Sequence, residues 1–455
     1  MPPAIPCHQN SSTLYSKKDG TGKPCVAARS DSRGKAVSHT NLLIHLNRVL
    51  KKYEDEKKVM NEDEESTALQ ADDLQEKIYR LDRADRDTEV QEACQVLDLD
   101  SKEEFFRRCE NLGIPPFAMT YFLDNMARYV TELVMRNLGI APEGAAAVAE
   151  ILAGNSSVRV LDLSVNGIQN KGAFAVAQLL EHNQWITDLN ISENNLSKSG
   201  LDSIGNMLIL NNTLTCLDVS RNSFTCDDIH FLTNVLQTAD ALLFLDLRHN
   251  AFKEKAGLYL GEMVKKNTSL RELYIGWNHF GDEGAKHLCA GLQENRSLEI
   301  LDICWNEIGR DGAGYIAEFI ENNGRLVELN LDNNHITDHG LRSIARGLEV
   351  NETLRLLKVG FNLITSSGAC KILECLCLNP HSALETLHLA EVEVTSAFED
   401  LFWRVKVKKP LFRVLEMSSP GGDHYHFQKP PSALAMLDDY LQRNGFSNET
   451  DEQTS

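Results

Sequence analysis

Several features are absent or scarce in this 455-residue sequence. No apolar run approaches the roughly 20 residues that span a bilayer, so we expect no membrane segment. Basic residues are few, with 46 Lys and Arg against 66 Asp and Glu and a formal charge of −20. An acidic chain of this kind is a poor general binder of nucleic acid or of anionic membranes. Aromatic residues make up only 7%.

Signals for export and for catalysis are also missing. The first residues contain no charged stretch followed by an apolar segment, so the 11 Cys are expected to be reduced thiols in the cytoplasm, with a nuclear or ciliary location left open. No His-Glu-x-x-His, Gly-x-Ser-x-Gly or Walker motif occurs. Cys370, Cys375 and Cys377 lack a fourth metal ligand and are expected to be buried or idle thiols. We predict no catalytic residue, no metal site, no cofactor and no enzymatic activity.

The first 100 residues differ from the rest in composition. Residues 1–52 are basic, and residues 53–100 are strongly acidic. The first 40 positions are rich in Ser, Thr, Gly and Pro and lack apolar periodicity. We therefore predict that 1–100 is a largely disordered leader. Ser101–Glu104 fits a capping box, and the apolar stripe after it predicts an N-terminal helical cap over 101–129.

The dominant signal is a repeat with a 28-residue period that begins at residue 130. Each unit has the pattern L-x-x-L-x-L-x-x-N, as in Leu270, Leu273, Ile275 and Asn278. The apolar residues two positions apart predict a short strand, and the Asn is predicted to close the following turn with a buried amide that bonds adjacent coils. These structural Asn residues are Asn166, Asn194, Asn222, Asn250, Asn278, Asn306, Asn334 and Asn362.

The second half of each unit has helical periodicity, as in Gly284–Leu292. A second Asn column, which includes Asn295, falls at the helix ends, where we expect a left-handed conformation. The last unit, with Phe412, Leu415 and Met417, is degenerate and is expected to return to the 28-residue register as a capping repeat. The prediction is an α/β leucine-rich repeat solenoid, a horseshoe of about 11 units over 130–420. A parallel sheet should line its concave face and helices its convex face, with a C-terminal cap at 421–445 and a disordered tail at 446–455.

Several segments carry a resemblance to a known family. They are Gly113–Pro116 with Tyr121–Leu123, Lys255–Gly261, Leu288–Leu292 and the irregular unit after Asn379-Pro380. Residues 105–445 resemble ribonuclease-inhibitor-type leucine-rich repeat proteins, most of all the leucine-rich repeat-containing protein 74 family. The wider type includes ribonuclease inhibitor, the Ran GTPase-activating protein and the sensor ends of nucleotide-binding immune receptors. The resemblance implies the fold and supplies no defined activity.

The period also maps the concave face, which should be acidic. Four positions per unit should point there, and they hold three basic residues (Arg221, Arg248 and Lys358) and nine acidic ones: Asp162, Asp188, Glu193, Asp218, Asp246, Glu272, Asp302, Glu328 and Asp332. Closely spaced carboxylates repel one another unless they are screened or neutralised. Two interpretations stay open, a solvated face that serves solubility and a face that binds a basic partner.

An aromatic patch is predicted within the same face. Trp277 and Trp305 occupy equivalent positions in consecutive units, and Tyr274 and His249 should lie beside them. Trp and Tyr dominate interface hot spots. The alternative is that these rings fold over the turn and cover the edge of the core. The predicted partner-binding residues are Trp277, Trp305, Tyr274, His249, Asp218, Asp246, Asp302 and Phe361.

These features favour a non-enzymatic scaffold for protein–protein interaction. We expect a monomer that binds a protein partner with a basic surface, and neither nucleic acid nor a membrane. A regulator of a small GTPase is an alternative that rests on fold analogy alone, because no catalytic residue can be carried over to this sequence. A second alternative is an innate-immune-type sensor, although the missing Walker motif argues against a nucleotide-binding domain.

Overall fold

The computed structural model describes residues 39–63 and 99–418. Within these residues the chain forms one parallel sheet of eleven strands, which lie side by side in chain order. The strands are β1 (Glu132–Val134), β2 (Val160–Asp162), β3 (Asp188–Asn190), β4 (Cys216–Asp218), β5 (Phe244–Asp246), β6 (Glu272–Tyr274), β7 (Ile300–Asp302), β8 (Glu328–Asn330), β9 (Leu356–Lys358), β10 (Thr386–His388) and β11 (Arg413–Leu415).

Helices precede the sheet and connect its strands. In the described residues before β1 there are three helices, namely α1 (His39–Asp63), α2 (Leu99–Leu112) and α3 (Pro116–Ala127). The connecting helices are α4 (Ala141–Leu152), α5 (Gln169–His182), α6 (Lys198–Leu210), α7 (Cys226–Leu236), α8 (Glu254–Lys266), α9 (Gly281–Glu294), α10 (Arg310–Asn322), α11 (Asp338–Leu348), α12 (Ser366–Leu378) and α13 (Ser396–Lys408). No helix in the described part of the chain combines the length and apolar character needed to cross a membrane.

The predicted α/β leucine-rich repeat solenoid is confirmed. The middle residue of each short strand points towards the helices, as Leu245 and Leu273 do, and both are fully buried. These two residues are also paired across β5 and β6, which shows that one repeat advances the chain by one strand. Each connecting helix packs against the next one along the chain. A parallel connection of this kind needs a crossover, and the helix supplies it.

The first Asn column lies in the turns that follow the strands. The side chain of Asn278 donates to the carbonyls of Ile275 (3.0 Å) and Leu247 (3.3 Å) and accepts from the backbone N–H of Phe252 (3.2 Å). Its bonds therefore reach both its own turn and the preceding coil. Asn278 is 2% exposed, so losing these bonds would leave buried backbone groups unpaired.

The second Asn column adopts an extended backbone, and the expected left-handed conformation is wrong. Asn295 at the end of α9 has φ −68° and ψ 140°. Its Oδ1 accepts from the backbone N–H groups of Ser297 (2.9 Å) and Leu298 (2.8 Å), and its Nδ2 donates to the carbonyl of Asn267 in the previous unit (3.2 Å). These bonds turn the chain from helix to strand, so the amide rather than a left-handed backbone explains the Asn.

The last strand has a register that differs from the one expected. Leu387 pairs with Val414, and Leu415 is 43% exposed. Phe412 and Met417 are buried as expected. The final strand therefore presents Val414 to the core, one residue before the position that a strict 28-residue period gives.

Helix α1 lies in the segment that the composition assigned to the leader. Leu43, Leu46, Val49 and Leu50 form a buried apolar stripe, and α1 packs against α2, α3 and α4. The prediction used the average charge of this segment, which does not reveal a local helical periodicity of apolar residues. The remaining leader residues, the C-terminal cap predicted at 421–445 and the tail at 446–455 lie outside the described residues.

Candidate interaction surface

One position in each regular unit, directly before the first-column Asn, has a positive φ. We call the eight residues the positive-φ column; their φ values run from 52° to 60°, and they are Val165, Glu193, Arg221, His249, Trp277, Trp305, Asn333 and Phe361. Non-glycine residues are uncommon in this region, and bulky ones are outliers. The turn holds them there, since Trp277 donates its backbone N–H to the carbonyl of Cys304 (2.9 Å).

The middle of the positive-φ column forms a continuous stack. The guanidinium of Arg221 contacts His249 Nε2 at 3.0 Å. The rings of His249 and Trp277 stack at 4.6 Å between centroids, and those of Trp277 and Trp305 at 4.2 Å. Trp277 and Trp305 remain 42% and 43% exposed. The stack therefore presents two half-exposed indoles side by side.

His249 is neutral in this stack at physiological pH. Burial, together with the nearby cations of Arg221 and Arg248, lowers the pKa of His249 to about 4. A neutral imidazole stacks on Trp277 without bringing a second charge beside Arg221. The stack therefore carries a single cation, at its Arg221 end.

Asn333 interrupts the column after Trp305, and the aromatic side chain returns only at Phe361. Asn333 is half-buried, whereas Phe361 is 45% exposed. A groove of about 510 Å³ opens at this interruption. It is lined by Trp277, Asn278, His279, Trp305, Glu307, Asn333, Asn334, His335, Phe361 and Leu363.

Tyr274 lies apart from the stack, on the face of the sheet turned away from the helices, which we call the open face. Its ring contacts Phe244 (5.0 Å between centroids) and the guanidinium of Arg248 (5.0 Å). Its hydroxyl donates to Glu272 Oε2 at 2.9 Å. Of the predicted aromatic set, the structure joins His249, Trp277 and Trp305 and leaves Tyr274 and Phe361 outside the stack.

The carboxylates of the open face are half-buried or buried rather than fully exposed. Asp246 is 1% exposed and Asp302 is 7% exposed. Asp246 pairs with Arg248, whose Nε lies 2.9 Å from Asp246 Oδ2. Both of these carboxylates also accept the backbone N–H two residues later, Asp246 from Arg248 (2.9 Å) and Asp302 from Cys304 (3.0 Å). Arg248 thus neutralises, within the chain, part of the negative charge that a basic partner was expected to neutralise.

Asp218 is the perturbed acid of this group. Burial and the neighbouring Asp246 raise the pKa of Asp218 to about 6, while bonds from Ser220 and the charge of Arg248 oppose the rise. The backbone N–H of Ser220 donates to Asp218 at 2.9 Å. The Asp218 carboxyl therefore closes a turn, but it lies in a buried region beside a second acid, Asp246.

Sequence reasoning missed a second exposed column and one buried histidine. His279, Glu307, His335 and Leu363 recur at 28-residue spacing, a signal that the same counting would have found, and His279 Nδ1 lies 2.8 Å from Glu307 Oε1. His388 bridges Asp332 and Glu416, and although burial opposes its charge, these bonds raise the pKa of His388. Among the described residues, no three His, Cys, Asp or Glu side chains are placed to hold a metal ion.

Comparison with known families identifies the repeat. The model described as Leucine Rich repeat matches residues 154–177, 182–205, 266–289, 294–317 and 325–345. The chain therefore carries leucine-rich repeats. The units between residues 206 and 265 lie outside these matches, yet they contain the same strand, turn and helix.

Comparisons with individual proteins add little. The actin-binding site 2 of leiomodin-1 is 26% identical over 30% of this chain and 79% of that chain, with a TM-score of 0.26. A tropomodulin C-terminal domain from Caenorhabditis elegans is 15% identical over 40% of this chain and 88% of that chain, with a TM-score of 0.25. Neither likeness supports an argument at such TM-scores. No curated protein matches the chain significantly.

Proposed function

We propose that this protein is a non-enzymatic scaffold that binds a protein partner through the stack formed by His249, Trp277 and Trp305 together with the adjoining groove. The observation that carries the proposal is the pair of indoles, which stack at 4.2 Å while more than two-fifths of each remains exposed. Exposed apolar side chains that lie together mark interaction sites. The 28-residue unit with a full helix supports assigning the repeats to the ribonuclease-inhibitor type.

The surrounding charge supports a partner with a basic surface. Glu307 lines the groove, and the groove has no Lys or Arg in its lining. Trp and Tyr anchors commonly supply most of the binding energy in an interface, and charges at the rim mainly affect the association rate. We therefore assign affinity to the two indoles. We assign a second role to the open-face acids Asp218, Asp246 and Asp302, whose negative charge would attract a basic partner towards the indoles.

The test compares partner capture by the full chain and by a Trp277→Ala/Trp305→Ala variant. Proteins bound to each bait from a cell extract would be identified and quantified. We expect the principal partner to be lost from the variant, since each hot-spot ring contributes about 2 kcal/mol or more. The dissociation constant for the identified partner would then be measured directly.

A matched control is Trp185→Ala. Trp185 is 48% exposed and contacts the guanidinium of Arg159 (4.9 Å) at the opposite end of the strands. This variant should retain the partner. If the double variant retains the partner as well, the binding site lies elsewhere and the proposal fails.

A further inference from the structure

We propose that the gap between Trp305 and Phe361 is a binding slot for an arginine side chain of the partner, with Asn333 as its floor. The inference rests on the proposed function and specifies the chemistry that the groove recognises. Two neighbours in the column already stack as rings, and Asn333 is the position where one layer of the stack is missing.

The thickness of the gap fits one planar group. Neighbouring parallel strands lie about 4.8 Å apart, so residues two units apart are separated by roughly 10 Å. Two layers at the 4.2 Å ring spacing of Trp277 and Trp305 would span about 8.4 Å. A flat group in van der Waals contact with both walls, at roughly 3.5–4 Å from each, needs about 7–8 Å.

The walls of the slot are free to accept a ligand. Trp305 stacks on Trp277 with one face, and 43% of its surface is exposed. Among the described aromatic rings, Phe361 contacts His388 alone, in a tilted arrangement with 6.4 Å between centroids. Within the described residues the side-chain amide of Asn333 makes no hydrogen bond, and its backbone N–H donates to the carbonyl of Gly360 (3.0 Å). The slot thus has two aromatic walls and an uncommitted polar floor.

Charge selects a guanidinium over a neutral ring. Glu307 is the acidic residue of the groove lining, and it is 55% exposed with His279 as its neighbour. The open face has one basic residue in the unit of Phe361. This residue, Lys358, does not line the groove. An arginine is planar, always charged and rich in donors, so it can stack on Trp305 while it donates to Asn333 Oδ1 and to Glu307.

The experiment uses the full chain and blocked tripeptides as probes. Acetyl-Gly-Arg-Gly-amide would be titrated while the indole N–H signals of the tryptophans are followed by NMR. We expect a saturable shift of the Trp305 signal. The matching Lys peptide and the citrulline peptide, which is planar but uncharged, should bind at least fivefold more weakly. A Lys or citrulline peptide that binds as well as the Arg peptide overturns the assignment.

Filling the slot supplies the decisive variant. Asn333→Trp adds the missing ring at a position whose neighbours show that Trp is tolerated there, and it should weaken the Arg peptide at least tenfold. Val165→Trp introduces the same residue at the equivalent position of an earlier unit (φ 60°) and should leave binding unchanged. Trp305→Leu removes one wall and should also weaken binding, which keeps the test decisive if Asn333→Trp does not fold.

The two proposals fail separately. If the Arg peptide does not bind, or binds Asn333→Trp as well as wild type, while the Trp277→Ala/Trp305→Ala variant still loses its partner, the slot is rejected and the interaction surface stands. If the double Trp variant keeps its partner, the proposed function is rejected whatever the peptide does.

Discussion

Two adjacent columns of the same turn behave in opposite ways. The column of Asn278 is Asn in all eight regular units, and all of its members are buried except Asn362, which is half-buried. Trp277 and its counterparts share one backbone conformation but include an aliphatic, two charged, an amide and four ring-bearing side chains. The bonds of the Asn column explain why only one residue type fits there. In the neighbouring column the backbone is fixed by the turn, and the side chain is left free to serve another purpose.

The contrast between the two columns can be tested first by removing an amide from the buried column. Asn278→Ala strips partners from the carbonyls of Leu247 and Ile275, and we expect the free energy of unfolding to fall by about 1–3 kcal/mol. Urea denaturation followed by circular dichroism measures it. His279→Ala, which changes an exposed neighbour, is the control and should have almost no effect. An unchanged midpoint for Asn278→Ala would mean that the amide is dispensable.

A smaller effect is expected at Asp218, where the turn needs an oxygen but not a charge. Asn190 and Asn330 occupy the same strand position and accept the equivalent backbone N–H, each at 3.0 Å. Asp218→Asn keeps that acceptor and removes the repulsion from Asp246. We expect it to raise the free energy of unfolding by about 1 kcal/mol at pH 7.5. This is less than the whole shift would give at roughly 1.4 kcal/mol per pKa unit, because burial is the largest cause of the shift and a buried amide also loses its contact with water.

The pH dependence follows from the raised pKa of Asp218. The folded state holds the proton up to about pH 6, whereas the unfolded state releases it near pH 4, so the wild type loses stability as pH rises between these values. The advantage of Asp218→Asn should therefore be fully present above pH 6 and vanish below about pH 4. Asp162→Asn, at the same strand position two units earlier, is the matched control. An advantage that does not change with pH would contradict the cause given.

The fold could be predicted from sequence because the same physical constraints act on equivalent residues in every repeat. Leu245, Leu273 and Asn278 each stand for a column whose members face the same environment, so one interpretation holds many times. Where the repetition ends, prediction weakened. Val414 replaced Leu415 as the inward residue of the last strand, and the buried stripe of α1 around Leu46 was hidden by the average composition of the leader.

The candidate site was predictable by position and only partly by environment. Counting residues placed Trp277, Trp305 and His249 together, because equal positions in neighbouring units must be adjacent. The same counting could not show that Asp246 is 1% exposed, since burial depends on how Arg248 folds over it. It also gave no backbone angles, so the positive φ of Trp277 had no sequence signal that distinguishes it from an ordinary turn residue.

A similarly small effect is expected for the backbone of the positive-φ column. At Trp277 (φ 58°) a residue with a Cβ carries a conformational cost of about 1–2 kcal/mol that glycine avoids. Trp277→Ala loses the stacking and keeps the cost, whereas Trp277→Gly loses both. We therefore expect Trp277→Gly to be more stable than Trp277→Ala by about 1 kcal/mol, measured as the difference in urea midpoints. At Trp185, which has no positive φ, the order should reverse, because glycine there only adds freedom to the unfolded chain. The same order at both positions would show that the turn does not impose the strained backbone on Trp277, and the contrast between the two columns would then reduce to burial alone.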